Sequence, residues 1–168
     1  IKAKAWKTGL NSSYVATALY QFPTEVANIA AFKAANTQTN STIYKISGDV
    51  TFVFRAGRYV HIQDNSGALL IYDNSTPVIT SAYVEGDVIS GGIYGTYSLY
   101  NGLVEMVPTR NPAVSTTNTG LITPVEVTVT DLTANYPDYE SKLVKINNVI
   151  FEEGIFSTSS STSILFSQ

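Results

Sequence analysis

The stretch IYKISGDVTFVFR (43–55) opens a series of short alternating segments that decides the fold. Four more such segments follow it, and about ten residues (74–83) separate the third from the fourth. The four are RYVHIQD (58–64), GALLIYD (67–73), EGDVISGGIYGTY (85–97) and GLVEMVP (102–108). Five strands with a longer connection after the third are typical of a Greek-key barrel of the OB type. We therefore predict an all-β fold, mainly β with one short helix, built around a five-stranded OB-like barrel.

Alternation within these strands predicts which side chains form the core. One face of each strand is apolar and the other is mostly polar, as expected where one face is buried. The predicted core consists of Tyr44, Ile46, Gly48, Val50, Phe52, Phe54, Val60, Ile62, Leu69 and Ile71. Gly48 lies in the middle of the long first strand, where we expect a sharp bend that lets one strand join both parts of a small barrel.

Two elements are predicted before the barrel. Residues 1–22 alternate on either side of a turn at residues 8–11, which predicts a β-hairpin. An isolated hairpin is marginal in water, so this one needs a partner sheet. The next unit, residues 23–108, begins with an alanine-rich segment with apolar residues on one face, and this predicts a helix near 24–36 that covers one end of the barrel.

Two further segments follow the barrel. Residues 109–124 are rich in Thr, Asn, Pro and Ser and lack periodicity, which predicts a linker. Residues 125–168 predict a β-rich extension that contains a strand at 142–153 and a Ser/Thr run at 157–163. The strand at 142–153 has the pattern of the first barrel strand, so the extension resembles a truncated second barrel.

The composition of the chain excludes several classes of function. The 168 residues include no cysteine, which excludes disulfides, thiol nucleophiles and thiolate metal sites. The net charge of −3 lacks the positive field that drives nonspecific phosphate binding. No stretch approaches the roughly 18–20 apolar residues of a membrane helix, so we expect no membrane-spanning segment. Because the first residue is Ile and no signal peptide precedes it, we expect a piece of a longer protein with other domains.

The barrel segment resembles OB-fold-like domains of cell-surface and secreted proteins of Bacteroidetes. The resemblance covers about two fifths of the chain. The residues that match are Gly48, Ile62, Asp64, Gly67, Tyr72, Gly86, Asp87 and Gly102. None of them is an established catalytic group, so the resemblance implies architecture more than chemistry.

Residues 1–22 resemble the last two strands of Ig-like domains similar to the chitobiase/β-hexosaminidase C-terminal module. The pattern IKAKAW…G…SSYVATALY carries this resemblance. It implies that a complete Ig-like module stands upstream. Together the two resemblances imply an extracellular or cell-surface location, with a lipoprotein anchor on a segment that this chain does not include.

Catalytic and metal-binding groups are sparse. His61 is the single histidine, and Asp64 lies three residues further along the predicted strand, on the opposite face. Residues 64–67 (DNSG) lack the further carboxylates of a calcium loop and predict a hairpin turn instead. No phosphate-loop motif is present. We therefore expect no enzymatic activity, no metal and no cofactor.

Aromatic residues near the hairpin between the fourth and fifth strands predict a ligand site. This loop and the exposed faces of the second and third strands form the usual cleft of OB folds. Tyrosine rings beside amide groups suit a sugar, and they also stack nucleobases. The alternative is that the tyrosines pack over the barrel mouth without a ligand. The candidate ligand-binding residues are Tyr59, His61, Tyr94, Tyr97, Tyr100 and Asn101.

Charge ranks the possible partners. The predicted barrel contains three cations, Lys45, Arg55 and Arg58, against six carboxylates: Asp49, Asp64, Asp73, Glu85, Asp87 and Glu105. A groove that follows phosphates needs clustered cations. We therefore favour a non-catalytic module of an exported, surface-attached bacterial protein, for glycan binding or for spacing other domains. The alternative is a nucleic-acid-binding OB-fold domain associated with an extracellular nuclease-like protein.

Overall fold

The computed structural model describes residues 2–18, 21–74, 76–153 and 165–167. Within them the protein is mainly β, with three short helices. The N-terminal elements are β1 (Lys2–Ala3), β2 (Ala16–Thr17), β3 (Thr24–Val26) and α1 (Ile29–Ala34). The central strands are β4 (Ile43–Ile46), β5 (Val50–Ala56), β6 (Tyr59–Asp64), β7 (Gly67–Tyr72), β8 (Val88–Ile89), β9 (Ile93–Tyr100) and β10 (Leu103–Pro108). The C-terminal elements are β11 (Val125–Glu126), α2 (Val129–Ala134), α3 (Tyr136–Tyr139), β12 (Val144–Lys145), β13 (Ile150–Glu153) and β14 (Leu165–Ser167).

One curled sheet of eight strands organises the protein. Its order is β3-β4-β9-β10-β7-β6-β5-β8, with parallel pairing in β3–β4 and β7–β10 and antiparallel pairing elsewhere. Only residues 47–49 separate β4 from β5, yet the two strands lie near opposite ends of this order. The sheet must therefore curl back on itself, which gives a barrel-like fold.

The core fills the inside of this curled sheet, and α1 covers one end. The largest fully buried apolar side chains are Ile29, Phe32, Ile46, Val50, Val60, Ile62, Leu69, Ile71, Ile89, Ile93 and Met106. The first two belong to α1, where Phe32 packs edge-on against Tyr44 at a ring-centroid distance of 5.6 Å. The predicted core faces of β4, β6 and β7 are confirmed.

Phe54 is the exception among the predicted core residues. It is 57% exposed, whereas its neighbour Val53 is buried. The pairing of β5 with β6 explains the reversal, because Phe52 lies opposite Ile62 while Phe54 lies opposite His61. Val53 is the extra residue of a β-bulge, and beyond it the strand presents the other parity to the core. The core assignment of Phe54 was wrong for this reason.

Gly48 marks the predicted bend, although the chain forms two strands there and not one continuous strand. The Gly48 amide donates to the Ala27 carbonyl oxygen at 3.0 Å. A Cβ on Gly48 would lie only 2.6 Å from that oxygen. Glycine is therefore required by the close approach of the segment that leads into α1.

The helix predicted at 24–36 is shorter in the structure. Thr24–Val26 forms β3, which pairs in parallel with β4, and the helix itself covers only Ile29–Ala34. Asn28 is the N-cap, because its Oδ1 accepts from the Ala31 amide at 2.9 Å. Backbone pairing with β4 thus outweighs the helical propensity of the first residues.

The segments 1–22 and 109–124 differ in their backbone partners. In the hairpin predicted for residues 1–22, β1 pairs with β2; positions 1, 19 and 20 lie outside the described residues. The segment predicted as a linker, 109–124, is hydrogen-bonded to the loop before β8: the Thr119 amide donates to the Gly86 carbonyl at 2.9 Å.

The C-terminal extension contains two short helices that the sequence reasoning missed. Residues 125–132 belong to the segment predicted to be β-rich, but Thr128 caps α2 by accepting from the Asp131 amide at 3.0 Å. An ion pair of 2.8 Å between Lys33 and Glu140 fastens the extension to α1. The strand expected at 142–153 is divided into β12 and β13, and the Ser/Thr run at 157–163 lies outside the described residues. Among the helices that the structure describes, none is long and apolar enough to cross a membrane.

Candidate functional site

Strand β9 separates the three candidate tyrosines between two faces. Its alternation is unbroken, so residues three apart point in opposite directions. Tyr97 is 2% exposed and packs against Phe32 at a ring-centroid distance of 5.5 Å. Tyr94 and Tyr100 lie on the outer face. The expectation that Tyr97 is accessible to a ligand was therefore wrong, and this residue belongs to the core.

Tyr94 is on the outer face but is covered by another side chain. The guanidinium of Arg110 lies over its ring, 4.2 Å from the centroid. The Thr109 amide donates to the Tyr94 carbonyl at 2.9 Å, which holds this stretch of chain beside the ring. One face of Tyr94 is thus occupied within the protein by a cation–π contact.

Two other candidate residues, His61 and Asn101, have roles within the fold: His61 packs against neighbouring residues, and Asn101 forms a turn. His61 is half-buried beside Phe54, in a small cavity that is also lined by Ser141 and Leu143. Burial lowers the pKa of His61, and a backbone hydrogen bond with Ser141 partly opposes this shift. Asn101 occupies the β9–β10 turn with a φ of 51°, and Gly102 follows it with a φ of 88°. Asn-Gly is the favoured pair for such a two-residue turn, which accounts for Asn101 without a ligand.

Tyr59 and Tyr100 meet at a cavity of about 320 Å³ on the outer face of the sheet. We call this cavity the tyrosine pocket; its lining residues are Tyr59, Tyr72, Ser98, Tyr100, Glu105 and Val107. They come from β6, β7, β9 and β10, which are neighbours in the sheet. Tyr59 is 46% and Tyr100 64% exposed, so parts of both rings are open to solvent.

The register of the strands brings Tyr59, Tyr72 and Glu105 together in the tyrosine pocket. Tyr59 lies directly opposite Tyr72 in the β6–β7 pair, and their ring centroids are 5.7 Å apart. Glu105 lies opposite Ser98 in the β9–β10 pair and opposite Leu70 in the β7–β10 pair. The same register therefore places the Tyr72 ring and the Glu105 carboxylate on one face.

Glu105 has the most unusual surroundings of these residues. It is 6% exposed and lines the tyrosine pocket. Among the described residues, its carboxylate has no hydrogen-bond donor or cation as a partner. Burial raises the pKa of Glu105, and no opposing attraction is present. The pocket therefore contains a carboxylate that the protein leaves without compensation.

The two arginines of the barrel are engaged within the protein. Arg55 forms an ion pair of 3.1 Å with the fully buried Asp73 and donates to the Ile79 carbonyl at 3.0 Å. Arg58 donates from Nη1 to the Tyr72 hydroxyl at 2.9 Å, with its guanidinium 5.7 Å from the centroid of that ring. These contacts fix the loop after β7 and the outer edge of Tyr72.

The DNSG segment forms the predicted hairpin turn and also caps α1. Asp64 Oδ1 accepts from the Ser66 amide at 2.7 Å and from the Gly67 amide at 3.1 Å. Asp64 Oδ2 accepts from the Ile29 amide at 2.9 Å, and Ser66 Oγ accepts from the Ala30 amide at 2.9 Å. Both groups thereby satisfy free amides at the start of the helix. In the described part of the chain, no cluster of three or more acidic or histidine side chains could hold a metal ion.

Sequence reasoning found Tyr59 and Tyr100 but missed Tyr72 and Glu105. A signal for both was present, because each has the parity opposite to the buried residues beside it, Ile71 and Met106. Alternation alone places them on the outer face. Their proximity depends on the parallel pairing of β7 with β10, which alternation does not specify.

Comparisons with protein-family models, curated proteins and solved structures found no match to this chain.

Proposed function

We propose that this chain is a non-catalytic module of an exported, surface-attached bacterial protein, and that the tyrosine pocket binds a glycan. The observation that carries the proposal is the arrangement of two accessible tyrosine rings, Tyr59 and Tyr100, around a carboxylate acceptor. A ring face accepts the C–H surface of a sugar, and the Glu105 and Ser98 oxygens accept from its hydroxyls.

We also propose that the barrel is of the OB type. Taking β4 with β5 as a first strand and β8 with β9 as a fourth, the sheet order after β3 becomes 1-4-5-3-2-1-4, so that the first and fourth strands recur next to each other at the far end. The third and fifth strands, β7 and β10, pair in parallel. The tyrosine pocket then lies on the outer faces of strands two and three beside the loop between strands four and five, where OB folds usually bind ligands.

The absence of catalysis in this proposal follows from the pocket's composition. Glycoside hydrolysis commonly needs two carboxyl groups about 5–10 Å apart. Glu105 is the one carboxylate that lines the tyrosine pocket among the described residues. A site with aromatic rings and a single carboxylate supports binding over bond cleavage.

The contacts of the arginines support a glycan over a nucleic acid. A groove for single strands combines stacking rings with cations that follow the phosphates. Here Arg55 is paired with buried Asp73, Arg58 is bonded to Tyr72, and the pocket itself holds Glu105. A phosphate near this carboxylate would meet repulsion.

A glycan array followed by calorimetry on the hits tests the proposal. Replacing Tyr100 by Ala should weaken binding by about 1–3 kcal/mol, the range measured for nucleobases that stack on aromatic side chains. Tyr94→Ala is the matched control, because Tyr94 lies on the same face of β9 but outside the pocket. We expect its binding to equal that of the wild type.

Two results would overturn this proposal. Absence of binding to every glycan tested would favour a module that only spaces other domains. Tight, salt-sensitive binding to single-stranded oligonucleotides in a gel-shift assay would favour the nucleic-acid alternative.

A further inference from the structure

We propose that the tyrosine pocket selects a sugar unit that carries a protonated amine, such as a 2-amino-2-deoxyhexose without an acetyl group. This inference rests on the proposed glycan binding and adds the chemical class of the ligand. It is carried by one juxtaposition: the carboxylate of Glu105, a residue only 6% exposed and without a partner, stands beside three tyrosine rings in one cavity.

The Glu105 carboxylate needs a positive partner more than a neutral one. The Glu105 residue is only 6% exposed, and a charge that loses most of its water is costly unless it is paired and hydrogen-bonded. A neutral hydroxyl can donate a hydrogen bond to the carboxylate but leaves its charge uncompensated. An ammonium group supplies both the hydrogen bond and the opposite charge, and such charge-assisted bonds are the stronger ones.

The tyrosine rings around Glu105 also favour a cationic ligand. Tyr59, Tyr72 and Tyr100 all line the pocket, and the faces of aromatic rings attract cations. Arg58 already uses part of the Tyr72 ring, at 5.7 Å from its centroid. Tyr59 and Tyr100 are the more accessible rings for a ligand, with 46% and 64% of their surface exposed.

The size and the donor set of the pocket favour an organic amine over a metal ion. Hard cations take six or more oxygen ligands, often from several carboxylates, whereas this pocket offers a single carboxylate. A volume of about 320 Å³ lies at the lower end of the range of about 300–1,000 Å³ for small-molecule sites. One sugar ring with its amine suits this space.

The decisive experiment compares three β-1,4-linked tetramers by calorimetry with the full chain: glucosamine, N-acetylglucosamine and glucose. We expect the glucosamine tetramer to bind roughly tenfold or more tightly than the other two, since a hydrogen bond to a charged group contributes that much. Glu105→Gln keeps the shape of the side chain and should bring the three affinities close together.

Asp49→Asn is the matched control for net charge. It removes one negative charge from an exposed carboxylate outside the tyrosine pocket. We expect this variant to keep the preference for the glucosamine tetramer. Loss of the preference in Asp49→Asn to the same degree as in Glu105→Gln would assign it to general electrostatics and overturn the inference.

The outcomes separate this inference from the proposed function. Equal binding of the three tetramers by the wild type overturns the amine preference and leaves glycan binding in place. No binding of any glycan overturns both. Tighter binding of an Nα-acetyl-lysine amide than of the glucosamine tetramer replaces the sugar by a lysine-bearing peptide. Should Glu105→Gln fail to fold by circular dichroism, the wild-type comparison still decides.

Discussion

Replacing Tyr97 and Tyr100 separately by Ala should affect the stability of the protein to very different degrees, although the two residues are only three positions apart on β9. Tyr97 is 2% exposed and packs against Phe32, whereas Tyr100 is 64% exposed at the tyrosine pocket. An aromatic side chain buries about 150–250 Å². At about 25 cal/mol per Å² this burial is worth about 4–6 kcal/mol, a part of which Ala retains. We therefore expect Tyr97→Ala to lower the free energy of unfolding by about 3–5 kcal/mol.

Urea denaturation followed by far-ultraviolet circular dichroism measures this difference. Tyr100→Ala should change the free energy of unfolding by no more than about 0.5 kcal/mol, as is usual for surface substitutions. Tyr97→Phe is a control that keeps the ring and should cost less than about 1.5 kcal/mol. The slope against urea should stay constant across the variants, so that midpoints report stability. Equal losses for Tyr97→Ala and Tyr100→Ala would refute the assignment of the two faces of β9.

Three further predictions concern the contacts that shape the barrel and the pocket. Gly48→Ala should lower the free energy of unfolding by about 1–3 kcal/mol, because the new Cβ would lie 2.6 Å from the Ala27 carbonyl oxygen. Gly67→Ala is the control and should change it little, because its Cβ would lie 3.8 Å from the nearest atom. Equal effects of the two substitutions in urea denaturation would contradict the close approach at Gly48. Asp64→Ala removes the acceptor for the first amide of α1 and should cost about 1–2 kcal/mol in the same assay, and an unchanged midpoint would disprove the capping role. Burial raises the pKa of Glu105 above its unfolded value, so the stability that this group contributes is present in acid and is lost as pH rises through its folded pKa. Denaturation over about pH 4–8 should show this loss in the wild type and not in Glu105→Gln, and identical pH profiles would contradict it.

The sequence predicted the strands well where alternation is regular. The core residues of β6, including Ile62, follow a period of two and are buried as expected; in β7 Leu69 is buried as expected, but Ala68 and Leu70 on the other face are buried as well. Phe54 departs from that period because Val53 is inserted as a bulge. Nothing in the run VTFVF distinguishes a bulge from a regular strand, since Phe52, Val53 and Phe54 are equally suited to a core.

The first turn of the predicted helix shows a different limit. Thr24 and Val26 are β-branched and weak helix formers, but the alanines that follow favour a helix and extended the prediction back over them. In the structure these residues take backbone partners from β4 instead. Such pairing depends on residues about 20 positions away, and short-range propensity contains no information about it.

The candidate site was predicted in part, because tyrosines at strand ends are conspicuous and a buried carboxylate is not. Tyr59 and Tyr100 were chosen for their position near the expected cleft, and both line the pocket. In the sequence Glu105 is only one of six carboxylates of the predicted barrel. Its burial follows from the residues that surround it on β7 and β9, which belong to other parts of the chain.

The register of β10 connects the core to the pocket. Met106 is fully buried, and a Cβ on the nearby Gly95 would lie 2.4 Å from its Cγ and 2.5 Å from the Val107 carbonyl oxygen, so only glycine fits at that position. With Met106 fixed inside, the preceding residue, Glu105, must face outward between β7 and β9. A slip of one residue would place the carboxylate in the core, where it has no partner. Packing at Met106 thus imposes the position of Glu105, and side chains on the outer face can change the ligand preference without altering the packing that holds the strand.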